Sequence, residues 1–159
     1  MAREQQSVTL IKKILVPTDG SPASLGAIRY AAELAKAFGA EVTLLHVVEV
    51  PRIPNCFLKK PDTQLRQQFV EAGKAIPALA RTTFSDMGVV ANTELREGRA
   101  RDAIVLTALQ GKYDLIVMGS RGLEPSESVL LGSVSEHVAH YARCPVLIVR
   151  RGTTADASA

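Results

Sequence analysis

The chain has 159 residues, a length that suits one domain, and 47% of them are hydrophobic, enough for a full core. Aromatics are only 4% and tryptophan is absent, which predicts a core of Val, Ile and Leu strands and argues against the stacking platforms of a single-stranded nucleic-acid surface. The net charge of +3 comes without any long Lys/Arg run, so neither a nucleic-acid patch nor a membrane-surface patch is expected.

Residues 1–13 lack the apolar core of a signal peptide, and no segment is long enough to span a membrane. Cys56 and Cys144 lie far apart and form no C-x-x-C pair, so two free thiols in a reducing cytoplasm are expected. Residues 1–7 and 152–159 are polar and read as flexible ends of a single domain over 8–151.

A first strand is expected over 11–16, and the PTDGS segment at 17–21 breaks it with turn chemistry. Leu25, Ile28, Ala32 and Ala35 recur at helical spacing and predict a helix over 22–38, closed by Gly39. Asp19 falls between a strand end and a helix, on the edge where open α/β sheets bind ligands. A carboxylate there can take ribose hydroxyls or a phosphate-held metal, or it can simply shape the turn. A second strand is expected over 41–48. His46 lies inside it and reads as a hydrogen-bonded structural residue rather than a ligand or base. Residues 49–62 are proline-rich and long for a connection, which fits either a functional loop over a ligand or a mobile one; Cys56 and Phe57 sit in it.

Leu65, Phe69, Ala72, Ile76 and Leu79 form a stripe that predicts a helix over 63–85, kinked or split by Pro77, with the stripe as core cover for the sheet. The alternation over 89–95 fits an edge strand. Ala100, Ile104, Val105 and Ala108 mark a third helix ending near Gly111, and 115–118 a fourth strand. Cys144 and Pro145 end the last helix, and 146–149 is the last strand. His137 and His140 stand three apart with no His-Glu-x-x-His pattern and no neighbouring cysteine, so no zinc site is expected. Five strands alternating with four helices predict an α/β fold: a single doubly wound, five-stranded parallel sheet. Right-handed crossovers would bring the carboxyl ends of strands one, two and four to a common edge.

The segment 119–135 reads GSRGLEPSESVLLGSVS. Gly119 and Gly122 end the fourth strand in a glycine turn. Gly132 and Ser133 open the last helix, with Val134, Val138 and Tyr141 on one face. A helix start carries unpartnered N–H groups and a partial positive charge, and glycine lets a ligand approach the backbone. With the hydroxyls of Ser133 and Ser135, and Arg121 as a further contact, this is the chemistry of a phosphate cradle. Ser133 and Glu136 equally fit a capping box that needs no ligand. The stretch is not the G-x-x-x-x-G-K-(S/T) loop, nor is there a G-x-G-x-x-G after the first strand.

Gly119-x-x-Gly122, nine residues, then Gly132-Ser133 resembles the G-2x-G-9x-G-(S/T) signature of the ATP-binding branch of the universal stress protein family. YDLIVMGSRG, LLGSVSEHV and CPVLIV are also similar to that family, and the resemblance covers roughly 13–150. Glu124 and Glu127 depart from the more basic or neutral spacers of family members. The resemblance implies a Rossmann-like, adenine nucleotide alpha hydrolase-like fold with ATP as ligand and Mg2+ bridging its phosphates. It places Pro17, Thr18, Asp19 and the backbone of Val47 around the adenosine, with Asp19 a candidate contact to the phosphate-held metal. It adds Met118, Gly119, Arg121, Gly122, Gly132, Ser133, Val134 and Ser135 to the nucleotide site. No catalytic residue is implied, and the sequence shows no P-loop lysine, arginine finger or clear general base beside the cradle. The expectation is a nucleotide-dependent stress-response module rather than an enzyme. The alternatives are a slow ATPase or phosphotransferase, and a nucleotide-free interaction module. The resemblance also implies a homodimer through the C-terminal strand.

Overall fold

The computed structural model describes residues 10–51, 63–121 and 131–150. Cys56, Phe57, Gly122, Glu124, Glu127 and the two expected flexible ends fall outside the described residues. Five parallel strands, β1 (Lys13–Pro17), β2 (Glu41–Val48), β3 (Ala91–Glu97), β4 (Leu115–Gly119) and β5 (Val146–Val149), lie in the order β3-β2-β1-β4-β5. Four helical connections join them: α1 (Pro22–Phe38), then α2 (Thr63–Gly73) with α3 (Ala75–Asp86), then α4 (Ala100–Gln110), then α5 (Ser133–Tyr141). The expected doubly wound sheet is therefore present. None of the described helices is long and apolar enough to cross a membrane.

The strands alternate their side chains between two faces. Ile14, Val16, Val42, Leu44 and Val117 pack with Ala27, Ile28, Ala31 and Ala32 of α1 and with Ala80 and Phe84 of α3. Leu15, Leu45, Ile116 and Met118 pack on the other face with Ile104 and Ala108 of α4 and Val138 of α5. The central strand β1 is buried on both sides, which is why its sequence is a continuous apolar run.

The bounds of α1 and its cap Gly39, at φ 65 with its N–H on the Ala35 carbonyl, match the sequence. Its buried face matches at Ile28, Ala32 and Ala35 but not at Leu25. Leu25 is 39% exposed, and the sheet is covered by Ala23, Ala27, Ile28, Ala31, Ala32 and Ala35. These small side chains let α1 lie close to β4. A Cβ on Gly119 would stand 2.8 Å from the carbonyl carbon of Ala23. Tyr141 likewise leaves the expected inner face of α5 and is exposed, whereas Val138 is fully buried.

The helix expected over 63–85 is two helices, and the break falls at Lys74 rather than at Pro77. Pro77 has no N–H to give to the Gly73 carbonyl, so the ladder fails one turn earlier, and the proline then sits in the first turn of α3, where it is tolerated. The stripe read as core is also corrected. Leu79 is 70% exposed and Phe69 38%. The buried residues of these helices are Gly73, Pro77, Ala80 and Phe84. Of the two helices, α3 is the one that covers the sheet. Cys144 is free and half-buried, and desolvation raises its thiol above the ordinary range.

Candidate functional site

The strand order reverses between β1 and β4, and helices leave their carboxyl ends on opposite faces of the sheet. A crevice must open there. Its first wall is the turn after β1. The Thr18 N–H donates to the Leu45 carbonyl at 2.9 Å, and the Thr18 hydroxyl donates to Ser24 Oγ at 3.1 Å. Oδ1 of Asp19 accepts the Ser21 N–H at 2.9 Å, so Asp19 does shape the turn, with one carboxylate oxygen. Gly20 follows at φ 79, a left-handed position that favours glycine. His46 is buried, and its Nδ1 lies 2.8 Å from the Thr18 carbonyl. A carbonyl only accepts, so Nδ1 carries the proton. The expected structural histidine is found, tying β2 to the β1 turn.

Helices α1, α4 and α5 begin along this edge, and each start exposes amides that need partners. At α1, the Ser21 hydroxyl accepts the Ser24 N–H at 3.3 Å and Pro22 has none to offer. At α4, the carboxylate of Glu49 reaches over from the end of β2 and accepts the Ala100 N–H at 2.6 Å. At α5 the N-cap is Gly132, which has no side chain to cap with, and among the described residues no other side chain accepts from the first turn. Ser133 stands inside the first turn instead of at the cap, so it does not form the capping box that its spacing to Glu136 allows. The N–H groups of Ser133, Val134 and Ser135 have no carbonyl within α5 to bond.

Gly132 has φ −72, which any residue can adopt. Its requirement is closeness: its N–H donates to the Ser120 carbonyl at 2.7 Å, and a Cβ would lie 3.3 Å from that oxygen and 3.4 Å from Cα of Arg121. The Ser135 hydroxyl is buried and donates to the Ser120 carbonyl at 2.8 Å, with the Gly132 carbonyl at 3.0 Å. Its proton is committed to joining the two sides of the cradle, and what Ser135 offers inward is its amide.

These walls enclose a cavity of about 930 Å3. Pro17, Thr18, Asp19, Val47, Met118, Gly119, Arg121, Gly132, Ser133, Val134 and Ser135 all line it. The structure thus brings together every residue assigned to the nucleotide site from the sequence except Gly122, which lies outside the described residues. The cavity has two ends of different chemistry. The end at β4 and α5 presents amides at the positive pole of a helix. The end at β2 is lined by Val47, Glu49, Ala100 and Ile104, and by Phe69, Ala72, Gly73 and Ile76. Phe69, Ala72 and Ile76 were expected as core, because a stripe that faces a cavity has the same period as one that faces a sheet. Among the described residues no three His, Cys, Asp or Glu side chains gather as a metal site. His137 instead faces Asp102 of α4 at 3.3 Å. The chemistry on offer is that of holding an anion by fixed donors beside an apolar compartment.

The universal stress protein family model matches residues 10–150. Universal stress protein MJ0531 of Methanocaldococcus jannaschii is 39% identical over 142 residues, covering 89% of this chain and 84% of that protein. Among solved structures, MJ0577 of the same organism superposes with a TM-score of 0.75 at 30% identity, covering 89% of this chain and 97% of its own. A universal stress protein solved in complex with cAMP superposes with a TM-score of 0.67 at 29% identity, covering 87% and 96%. The match spans the sheet, its helices and both walls of the crevice, and the chain belongs to the universal stress protein family.

Proposed function

We propose that the protein binds ATP and acts as a nucleotide-dependent regulatory module in a stress response, as a homodimer. The observation that carries this reading is the contrast among helix starts. Ser21 fills that of α1 and Glu49 that of α4, while α5 begins at a glycine that no described side chain caps. Such a start favours phosphate. A relative solved with cAMP supports an adenine nucleotide as the class of ligand. The phosphates lie on the amides of Ser133, Val134 and Ser135, with Gly119 and Arg121 opposite. The adenosine extends toward Pro17, Thr18, Asp19 and Val47. From β4 to β2 is two strand spacings, about 10 Å, in scale with the distance from phosphates to base.

Magnesium, in this reading, arrives on the phosphates, and Asp19, one of whose carboxylate oxygens serves the turn, is the residue that would meet it. The ion would neutralise phosphate charge. The chain's own contribution is binding rather than turnover: main-chain amides hold and orient an anion but do not accept a proton from a nucleophile.

The test is Gly132→Leu. Its side chain displaces the Ser120 and Arg121 backbone from the cradle, while the strands keep their own residues and only the Ser120 N–H bond to Val149 adjoins the change. Calorimetry should show ATP binding lost and circular dichroism an intact fold; unchanged affinity would refute the site. Turnover above about one per second, within the ordinary enzyme range, would refute binding as the function.

A further inference from the structure

Helix α2 has an apolar face and little core to cover. Of its eleven residues only Gly73 is buried. Phe69 is 38% exposed and Ala72 is exposed, yet both line the cavity, and Ile76 at the start of α3 stands beside them. A surface helix ordinarily lays its apolar stripe on the sheet beneath it. The next helix does so, through Pro77, Ala80 and Phe84.

Among the described residues, α2 is held near both of its ends. Near its end, Gly73 lies so close to β2 that a Cβ would meet Val48 Cγ2 at 2.5 Å and His46 Cδ2 at 3.4 Å. Near its start, Arg66 makes a forked pair with Glu97 at the end of β3, at 2.6 and 3.1 Å. Hydrogen bonding to Arg66 holds the Glu97 carboxyl below the usual carboxylate range. Such exposed pairs add little stability but do set position. Phe69 lies between these two anchors, on the side of the cavity that belongs to β2.

Resting on the nucleotide reading above, we infer that α2 is the specificity wall of the site: Phe69 packs on the face of the nucleobase, and Ala72 and Ile76 complete the contact. The amides of α5 read charge, which every phosphate compound carries. The α2 wall reads a flat ring. The cavity therefore selects nucleotides over inorganic polyphosphates and sugar phosphates, and Phe69 is a binding residue, although nothing in its helical spacing separates it from core.

The chain has no tryptophan, so Phe69→Trp installs a single fluorescent reporter. Titration with ATP is expected to quench that fluorescence saturably, and tripolyphosphate is expected to leave it unchanged. In parallel, Phe69→Ala should weaken ATP by about tenfold or more, the scale of one base–aromatic stack, and leave tripolyphosphate affinity as in the wild type. A general structural defect would move both. If ATP binds the Phe69→Trp variant by calorimetry without changing its indole fluorescence, or binds Phe69→Ala as tightly as the wild type, the α2 wall is wrong and the anion cradle stands. If the wild type binds no nucleotide at all, the cradle reading fails and the wall falls with it.

Discussion

Gly119 and Gly132 look alike in the sequence and differ in what they tolerate. A Cβ at Gly119 would press on the main chain of Ala23, which has no freedom to move unless α1 backs away from β4. A Cβ at Gly132 would crowd a loop carbonyl and Cα at 3.3 and 3.4 Å, a displacement of a few tenths of an ångström. Gly119→Ala is therefore expected to destabilise the fold by the usual cost of overpacking, about 1–3 kcal/mol. In a chain of this size that lowers the melting temperature by several degrees. Gly132→Ala should melt close to the wild type. Equal melting of Gly119→Ala and wild type, without ligand, would show that α1 is not held that close. Asp19 and His46 show how far single residues can be read. Asp19 carried a structural and a functional interpretation in the sequence, and His46 a structural one. In the structure Asp19 holds the turn with one oxygen, His46 holds Thr18 with one nitrogen, and both line the cavity.

The elements were legible where their signal is local. A turn segment, an alanine-rich stretch and a closing glycine were enough to bound α1. The capping of α4 was not legible, because its partner Glu49 lies 51 residues away and belongs to a connection that the sequence marks only as irregular. The division of α2 from α3 was half-legible: Pro77 announces a break, but the missing bond is to the residue four before it, so the break precedes the proline. Glu49 permits a test at this scale. Glu49→Ala should cost about 1 kcal/mol in urea denaturation, as the loss of a helix cap does. The same change removes a negative charge from the cavity wall. ATP affinity is therefore expected to hold or to rise while stability falls. A fall in both would show that the carboxylate touches the ligand directly.

At the scale of the molecule, the sheet has two edges and they differ. The sequence of β3, with Asn92 and Glu94 polar, reads as an edge, and the strand is one, with Asn92 and Thr93 exposed on its two faces. β5 reads Val-Leu-Ile-Val, the composition of an interior strand, yet it is the other edge, and three of its four residues are only half-buried. Carbonyls of Pro145 and Val149 accept from Ile116 and Ser120 of the β4 side. Backbone groups alternate along a strand, so those of Val146 and Ile148 turn away from β4 and are available to a second chain. A homodimer paired at this edge is the expected assembly, and analytical ultracentrifugation of the wild type at micromolar concentration should return twice the chain mass. Ile148→Pro removes an outward N–H while leaving the β4 ladder its donors, and proline is tolerated at that position of an edge strand. It should yield a folded monomer. The edge lies on the far side of β4 from the crevice at β1, and although Ser120 bonds to both Gly132 and Val149, the outward groups of Val146 and Ile148 take no part in the cradle. Gly132→Leu is accordingly expected to remain dimeric while losing ATP, and Ile148→Pro to bind ATP as a monomer. A Gly132→Leu protein that falls to monomer would mean that the cradle and the edge are coupled, and a wild type that sediments as a monomer would exclude the β5 pairing altogether.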